Sequence, residues 1–331
     1  MRPKLAVAFL AVAIIAILIY GVGAFRDRLG TTAGGTSLQV TASFYPLAEF
    51  AKQVGKEKVQ VRNLTPPGAE PHDFDPSPRD LVDLQRSQVF IYNGAGFEPW
   101  VDKVLTDLPR GGPVVVDSSE GMRLLESGED EGDNKHGLAQ APIHSVPSDV
   151  SGQAGAAFDP HFWLDPVLAK QQVDNIKEGL IKADPTNDAS YKANASAYKA
   201  KLDELDGQFR QGLSSCKRRD VIASHDAFQY LARRYSLNVV AISGLSPDDE
   251  PSPRRLAEIV EFARANSVKY IFFETLVSPR LADTIAREVG AKTLVFNSIE
   301  GLTSEEQAAG KDYLSVQREN LANLRIALEC Q

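Results

Sequence analysis

Cysteine, excess positive charge and nucleotide-binding motifs are scarce or missing in this chain of 331 residues. With only two cysteines, at most one disulfide can form within the chain. The formal net charge of −8 argues against nucleic acid or an anionic membrane surface as a partner, because both attract positive charge. No Walker motif occurs, so ATP hydrolysis by a P-loop is not expected of this chain. The His-Glu-x-x-His pattern of many zinc peptidases is also missing.

What is present is the composition of an ordinary globular protein, 43% hydrophobic and 24% charged. The length is sufficient for two domains that each bury a core of their own. The negative charge balance mildly favours cations as ligands.

The beginning of the chain has the pattern of an export signal. Arg2 and Lys4 precede an apolar run that ends at Ala24. This pattern predicts a signal peptide at residues 1–24, and the run is also long enough for an uncleaved membrane anchor. No cysteine follows the run, so a lipid-modified cysteine is not expected. Residues 25–37, which include a stretch rich in Gly and Thr, predict a flexible tether, with the remainder periplasmic or at the cell surface.

The two cysteines, Cys216 and Cys330, are far apart in sequence. In an exported protein such a pair predicts one disulfide, which would join the start of the C-terminal half to the end of the chain. Two unpaired buried thiols are the alternative. A zinc site of two cysteines and two histidines is less attractive, because no histidine lies near Cys330.

Segments with strand and helix patterns alternate along the chain, which predicts an α/β fold with mostly parallel sheets. The pattern divides into a first lobe at 38–183, a long linking helix at 184–215 and a second lobe at 216–331. Within the first lobe, residues 126–157 have no apolar period and predict a mobile surface loop. The predicted strands are 38–43, 59–64, 89–92, 114–116, 221–224, 238–242, 270–273 and 293–296. The predicted helices are 45–54, 77–85, 166–183, 187–213, 226–235, 253–266, 279–289 and 313–328.

Histidine is also rare, with five in the chain, and three of them lie just after predicted strands or where a loop enters a helix. These are His72, His161 and His225. Ligands of open α/β sheets bind at the carboxyl ends of strands, and neutral imidazole is the commonest protein ligand of zinc. The positions therefore indicate a metal site. On spacing alone, ordinary surface or core histidines explain them equally well.

Three segments decide between these interpretations: 68–76, 159–166 and 224–230. They resemble the three metal-site motifs of ZnuA-like substrate-binding proteins. The segments 271–274 and 299–303 also resemble the corresponding segments of zinc-type members of that family. The resemblance covers residues 38 to 330 in order. It implies two α/β lobes joined by a rigid helix, with the metal held in the cleft between them.

Applied to this sequence, the resemblance implies that the first lobe contributes the metal ligands His72 and His161. It implies that the second lobe contributes His225. It implies an extracytoplasmic protein, monomeric and not an enzyme, that captures Zn²⁺ for the permease and ATPase of an ABC importer. Manganese-type members have a carboxylate where His225 stands, so zinc is the expected metal.

The fourth ligand is where this sequence departs from many members. They have an aspartate near positions 297–298, and here these positions are Asn297 and Ser298. We expect Glu300 to take this role, with Glu274 or a water as alternatives and a surface or capping carboxylate as the ordinary interpretation of Glu300.

Two further roles follow for polar residues near the motifs. Asp75 and Asp226 are expected to hold the ligating imidazoles, whereas Asp165 fits better as a helix cap. The loop at 126–157 contains His136 and His144, which indicate either a weak accessory zinc site or a plain solvated loop.

Three other functions remain open from the sequence. A manganese-binding protein of the same family differs only in the metal. A zinc hydrolase would use three histidines and an open fourth position. A surface adhesin would use the same fold to bind another partner.

Overall fold

In the computed structural model, the described residues are 37–126, 143–145 and 158–331. The predicted signal peptide or anchor at 1–24, the tether at 25–37 except Ser37, and His136 lie outside these ranges. None of the helices within the described ranges combines the length and the apolar character needed to span a bilayer.

The first lobe is built on a sheet of four parallel strands in the order β2-β1-β3-β4. Its strands are β1 (Leu38–Ala42), β2 (Val59–Asn63), β3 (Val89–Tyr92) and β4 (Val114–Asp117). Its first helices are α1 (Tyr45–Gly55), α2 (Pro78–Arg86) and α3 (Val101–Asp107). Helices cover both faces, because alternate residues of β3 point to different cores: Val89 and Ile91 pack with α1, and Phe90 packs with α2 and α3.

A short antiparallel pair follows, formed by β5 (Arg123–Leu125) and β6 (Ile143–Ser145). The second of these strands lies inside the region at 126–157 that the sequence predicts to be a mobile surface loop, and no strand was predicted for residues 143–145. Three residues with one apolar side chain are too short for a recognisable period, and the strand depends on its partner across the pair.

Two long helices lead out of the first lobe, α4 (Pro166–Ala183) and α5 (Asp188–Gly212). Asp165 begins α4 by accepting a hydrogen bond from the Val167 N–H, so the predicted capping role is confirmed. Six apolar residues of α5 recur every three or four positions and are buried, which sets the face that packs on α4 and α1. They are Tyr191, Ala195, Tyr198, Leu202, Leu205 and Phe209.

The second lobe repeats the strand order of the first without a recognisable sequence repeat. Its parallel sheet runs β8-β7-β9-β10. The strands are β7 (Asp220–Ala223), β8 (Asn238–Ala241), β9 (Tyr270–Phe273) and β10 (Lys292–Val295). The helices are α6 (Gln229–Tyr235), α7 (Pro253–Ala265), α8 (Arg280–Val289), α9 (Ser304–Ala308) and α10 (Tyr313–Ala327).

One hydrophobic core runs through both lobes. It contains residues of β1, α1, α4 and α5 together with β7, α6 and α10. The ring centroids of Phe50 in α1 and Tyr313 in α10 are 5.0 Å apart, so the last helix contacts the first helix directly. Any separation of the lobes would therefore expose apolar side chains that are now fully buried.

Most of the predicted elements agree with the structure to within a few residues, and the differences are local. Helix α6 begins at Gln229 instead of Asp226, because the Asp226 N–H donates to the carbonyl of Gly244 and the Ala227 N–H donates to the carbonyl of His225. Helices α3 and α9 were not predicted from the sequence. Both are short, and α9 depends on a capping box between Thr303 and Glu306.

Cys216 and Cys330 form a disulfide with a sequence separation of 114, which confirms the predicted pairing. The bond joins the end of the linking region to the end of the chain and lies at the margin of the shared core.

Replacing both cysteines by alanine is expected to lower the free energy of unfolding by at most about 4–5 kcal/mol, because the unfolded chain regains the entropy of a long closed loop. Urea unfolding of the variant and of the wild type measures the difference. Wild type treated with a reducing agent is the control and should lose a similar amount. Equal stability of all three samples would show that the bond contributes nothing.

Candidate metal centre

The side chains predicted to bind a metal lie where the two sheets present the carboxyl ends of their strands. His225 follows β7 after a single residue, and Glu300 lies in the loop after β10. His72 lies in the loop between β2 and α2. His161 immediately precedes a 3₁₀ turn, Phe162–Leu164, that leads into α4. These loops meet between the lobes, which is where parallel sheets bind their ligands.

Four donor atoms converge at this point. The His161 Nε2 is 3.2 Å from the His72 Nε2 and 3.3 Å from the His225 Nε2. The Glu300 Oε1 lies 3.6 Å from the His72 Nε2, 3.5 Å from the His161 Nε2 and 3.2 Å from the His225 Nε2. A tetrahedral zinc ion with bonds of about 2.0–2.1 Å holds its ligand atoms about 3.3 Å apart. The observed spacings fit that tetrahedron.

Two of the imidazoles are held by buried carboxylates. The His161 Nδ1 is 2.8 Å from the Asp159 Oδ1, and the His225 Nδ1 is 2.7 Å from the Glu274 Oε1. A carboxylate can only accept at these nitrogens, so each Nδ1 carries the proton and each Nε2 can direct its lone pair at the centre. The second Glu274 oxygen accepts from the Ser298 hydroxyl at 3.1 Å, which fixes the carboxylate itself.

Burial differs among the four donors. The side chains of His161, His225 and Glu300 have no exposed surface, whereas the His72 side chain is 11% exposed. His72 packs edge-on against the ring of Phe97 at a centroid distance of 4.6 Å. Of the four donor side chains, only that of His72 reaches solvent, so the centre is open to solvent beside His72.

The electrostatics of the centre favour a cation. Burial lowers the pKa of His161 well below its ordinary value, and the neighbouring His225 adds to this effect. Burial would raise the pKa of Glu300, but His225 and His72 outweigh it and hold that pKa well below the usual range. Both Glu300 oxygens are buried without a hydrogen-bond partner among the described residues. A buried carboxylate of this kind needs a positive charge beside it, and a metal ion supplies one.

His225 has the opposite shift to His161. Burial acts to lower its pKa, but Glu274 and then Glu300 raise it well above the ordinary value. The carboxylates of Glu274 and Glu300 thus favour a positive charge on or beside the His225 ring. A divalent ion bound to the Nε2 would satisfy the same two carboxylates.

The structure brings together His72, His161, His225 and Glu300, and it corrects the two aspartates expected to hold the imidazoles. Asp75 is exposed, and Asp226 accepts a hydrogen bond from the Gln229 side chain. Asp159 and Glu274 occupy the expected positions instead. Asp159 lies two residues before His161 in the same motif, and this proximity was the available signal.

Of the two histidines of the predicted accessory site, His136 is outside the described residues. The backbone of His144 pairs with Leu124 in the β5–β6 pair. The accessory site stays a prediction.

The profile of the protein family described as "ZnuA: Zinc-uptake complex component A periplasmic" matches residues 40–327. The chain belongs to the ZnuA family. This ZnuA-family chain is 38% identical over 312 residues to the high-affinity zinc uptake system protein ZnuA of Bacillus subtilis (strain 168), covering 94% of each chain.

Two further comparisons involve Streptococcus pneumoniae. The zinc-binding lipoprotein AdcA of strain ATCC BAA-255 / R6 is 39% identical over 289 residues, which are 87% of this chain and 55% of AdcA. The chain thus spans about half the length of that relative. The crystal structure of the Zn(II)-bound ZnuA-like domain of AdcA superposes with a TM-score of 0.72 at 36% identity, covering 88% of this chain and 99% of that domain.

Replacing Asp159 by asparagine or Glu274 by glutamine is expected to weaken the binding of a divalent metal ion about 10- to 100-fold, because the imidazole loses the carboxylate that orients it. Competition with a chelating dye measures the affinity. The control is Asp75→Asn, which removes a nearby exposed carboxylate and should leave the affinity unchanged. If all three variants bind as tightly as the wild type, the orienting role is refuted.

Proposed function

We propose that this chain captures Zn²⁺ outside the cytoplasm and delivers it to the permease of an ABC importer. In this proposal the ion is the cargo, and its ligands are His72, His161, His225 and Glu300. The observation that carries it is the convergence of three Nε2 atoms and one carboxylate oxygen at tetrahedral spacing. Membership of a family described as a periplasmic zinc-uptake component supports the same role.

The donor set favours zinc over manganese. Imidazole nitrogen suits Zn²⁺, whereas Mn²⁺ prefers a larger number of oxygen ligands. Three of the four converging donors are imidazoles, and Glu300 is the only carboxylate among them. The general affinity order of divalent ions also places zinc above manganese.

The fourth donor also favours binding over hydrolysis. Catalytic zinc sites keep one position for water or substrate, whereas closed sites use four protein ligands. Glu300 lies within 3.6 Å of all three Nε2 atoms and takes the fourth corner. The proposal is therefore a binding protein without a hydrolytic step.

The asymmetry of the centre gives an order to capture. His161 and His225 are fully buried and are held by carboxylates, whereas His72 is partly exposed. The loop of His72 contacts the second lobe through a hydrogen bond from the Gly68 N–H to the Leu302 carbonyl, at 3.1 Å. We infer that zinc enters beside His72 and that this imidazole completes the coordination.

Several parts of the proposal concern the molecule beyond the site. Residues 1–24 act as a signal peptide or an N-terminal anchor, and 25–37 act as a tether. The lobes at 38–183 and 216–331 are connected by the helix at 184–215. The protein works as a monomer with a membrane permease and a cytoplasmic ATPase.

Isothermal titration of the purified protein is expected to give one tight Zn²⁺ per chain, with affinity falling at lower pH because protons compete for the imidazoles. His161→Ala should weaken binding by at least about 100-fold, since it removes a buried ligand and leaves Glu300 poorly compensated. The matched control is the double variant His136→Ala and His144→Ala, which should retain one tight site.

Two results would contradict the proposal. One is wild-type affinity in His161→Ala. The other is zinc-dependent hydrolysis of esters or peptides, which would favour an enzyme. Displacement of bound zinc by equimolar Mn²⁺ would instead correct the identity of the metal.

A further inference from the structure

Two side chains of α6 reach from the second lobe to the segment that carries His161. They are Tyr230 and Arg234, which are four residues apart and therefore lie on one face of the helix. Tyr230 contacts the beginning of the segment, at Asp159, and Arg234 contacts its end, at Asp165. One short helix thus holds both ends of residues 159–165.

The contact at Tyr230 is buried and has two hydrogen bonds. The Tyr230 hydroxyl donates to the Asp159 carbonyl at 2.7 Å and accepts from the Leu125 N–H at 2.9 Å. The Asp159 N–H in turn donates to the Leu125 carbonyl at 2.8 Å. The residue that orients the His161 ring is therefore fixed through its backbone by a side chain of the second lobe.

The contact at Arg234 is an ion pair. The Arg234 Nε lies 2.6 Å and 2.5 Å from the two Asp165 oxygens, and Asp165 is 2% exposed. This carboxylate also caps α4. Arg234 therefore holds the position from which α4 begins.

The same helix is connected directly to His225. Only three residues separate His225 from the start of α6 at Gln229, and the ring of His225 is fixed independently by Glu274. Helix α6 and its two contacts across the lobes are therefore among the contacts that fix the 3.3 Å between the His161 and His225 Nε2 atoms.

We infer that Tyr230 and Arg234 are positioning residues that hold His161 and His225 at zinc-binding distance before the ion arrives. This inference rests on the proposed function, in which both imidazoles bind zinc. Donors that are already in place pay less conformational entropy on binding, so the ion is held more tightly and released more slowly. Loss of either contact gives the His161 segment freedom to move away from His225.

The effect of one substitution is limited because the second lobe holds the segment elsewhere. The Trp163 Nε1 donates to the Ser298 carbonyl at 2.8 Å, and the Gln317 side chain donates to the Leu164 carbonyl at 3.0 Å. These bonds remain in the variants, so the protein is expected to fold with the His161 segment loosened at one end.

The experiment compares Tyr230→Phe and Arg234→Gln with wild type and with Tyr235→Phe. The Tyr230→Phe substitution keeps the edge-on packing against Phe162 and removes only the hydroxyl. Tyr235 is the matched control, because it lies on the same helix and donates to Asp206 in α5 instead of the His161 segment. Stopped-flow release of zinc into excess chelator and the visible spectrum of bound Co²⁺ report on the site. Hydrogen–deuterium exchange of residues 158–165 in the zinc-free protein reports on the segment.

Tyr230→Phe and Arg234→Gln are expected to release zinc about three- to tenfold faster and to weaken the tetrahedral Co²⁺ bands, with faster exchange of residues 158–165. Tyr235→Phe should match wild type in all three. Unchanged exchange in both variants would overturn the inference. Faster exchange with unchanged zinc release, or equal effects of Tyr235→Phe, would overturn it too.

The exchange measurement separates this inference from the proposed function, because it needs no metal. If the wild type binds no zinc, the proposed function fails, and faster exchange in the two variants still supports the hold of α6 on the His161 segment. If Arg234→Gln does not fold, Arg234→Lys keeps the charge without the Nε contact and is expected to have a smaller effect in the same direction.

Discussion

A buried carboxylate surrounded by three imidazoles is the constraint on which the rest of this structure depends. Glu300 has no exposed surface, and neither of its oxygens has a hydrogen-bond partner among the described residues. A charge in this position is stable only with a positive partner, and the imidazole nitrogens that lie 3.2, 3.5 and 3.6 Å from its Oε1 are common metal ligands. Three imidazoles and one carboxylate are the arrangement expected around a divalent ion, and the surrounding fold places these four side chains.

Those positions require the two lobes to be fixed relative to each other. A metal site shared between lobes can be assembled by closure or can exist beforehand, and the shared core favours the second arrangement. Apolar residues of the first and last helices are in contact, and α5 packs along both. The hydrogen bonds of the second lobe to Trp163 and Leu164 have the same consequence at the site. The shared core and these hydrogen bonds therefore hold the two lobes in one arrangement.

Much of the fold was accessible from the sequence because the strands of the two large sheets are short apolar or alternating segments and most helices have an apolar period. Val89 to Tyr92 is an apolar run, as expected of a strand whose alternate residues pack in different cores. The strand order of each sheet was not accessible, because it depends on pairing between distant segments. The short strand at 143–145 was missed for the same reason: its partner determines it.

The candidate site divides in a similar way. His72, His161, His225 and Glu300 were found because a resemblance links motifs that are distant in sequence. Proximity in sequence indicated Asp159 for His161 but could not select it over other acidic residues, and Glu274 lies 49 residues from His225, so only packing decides which carboxylate reaches each Nδ1. Tyr230 and Arg234 looked like ordinary residues of an amphipathic helix, and their contacts with residues 159–165 exist only in three dimensions.

The contact of α10 with the first lobe has a consequence for the order in which the protein matures. Tyr313 and Gln317 bind the backbone of Trp163 and Leu164, next to His161, and Glu300 is also close to the end of the chain. A polypeptide is made from its amino end, so the His161 segment forms these hydrogen bonds only after residues 150 or more positions later have been made. A nascent or truncated chain therefore lacks a finished centre, and only the completed molecule acquires the ability to retain the ion.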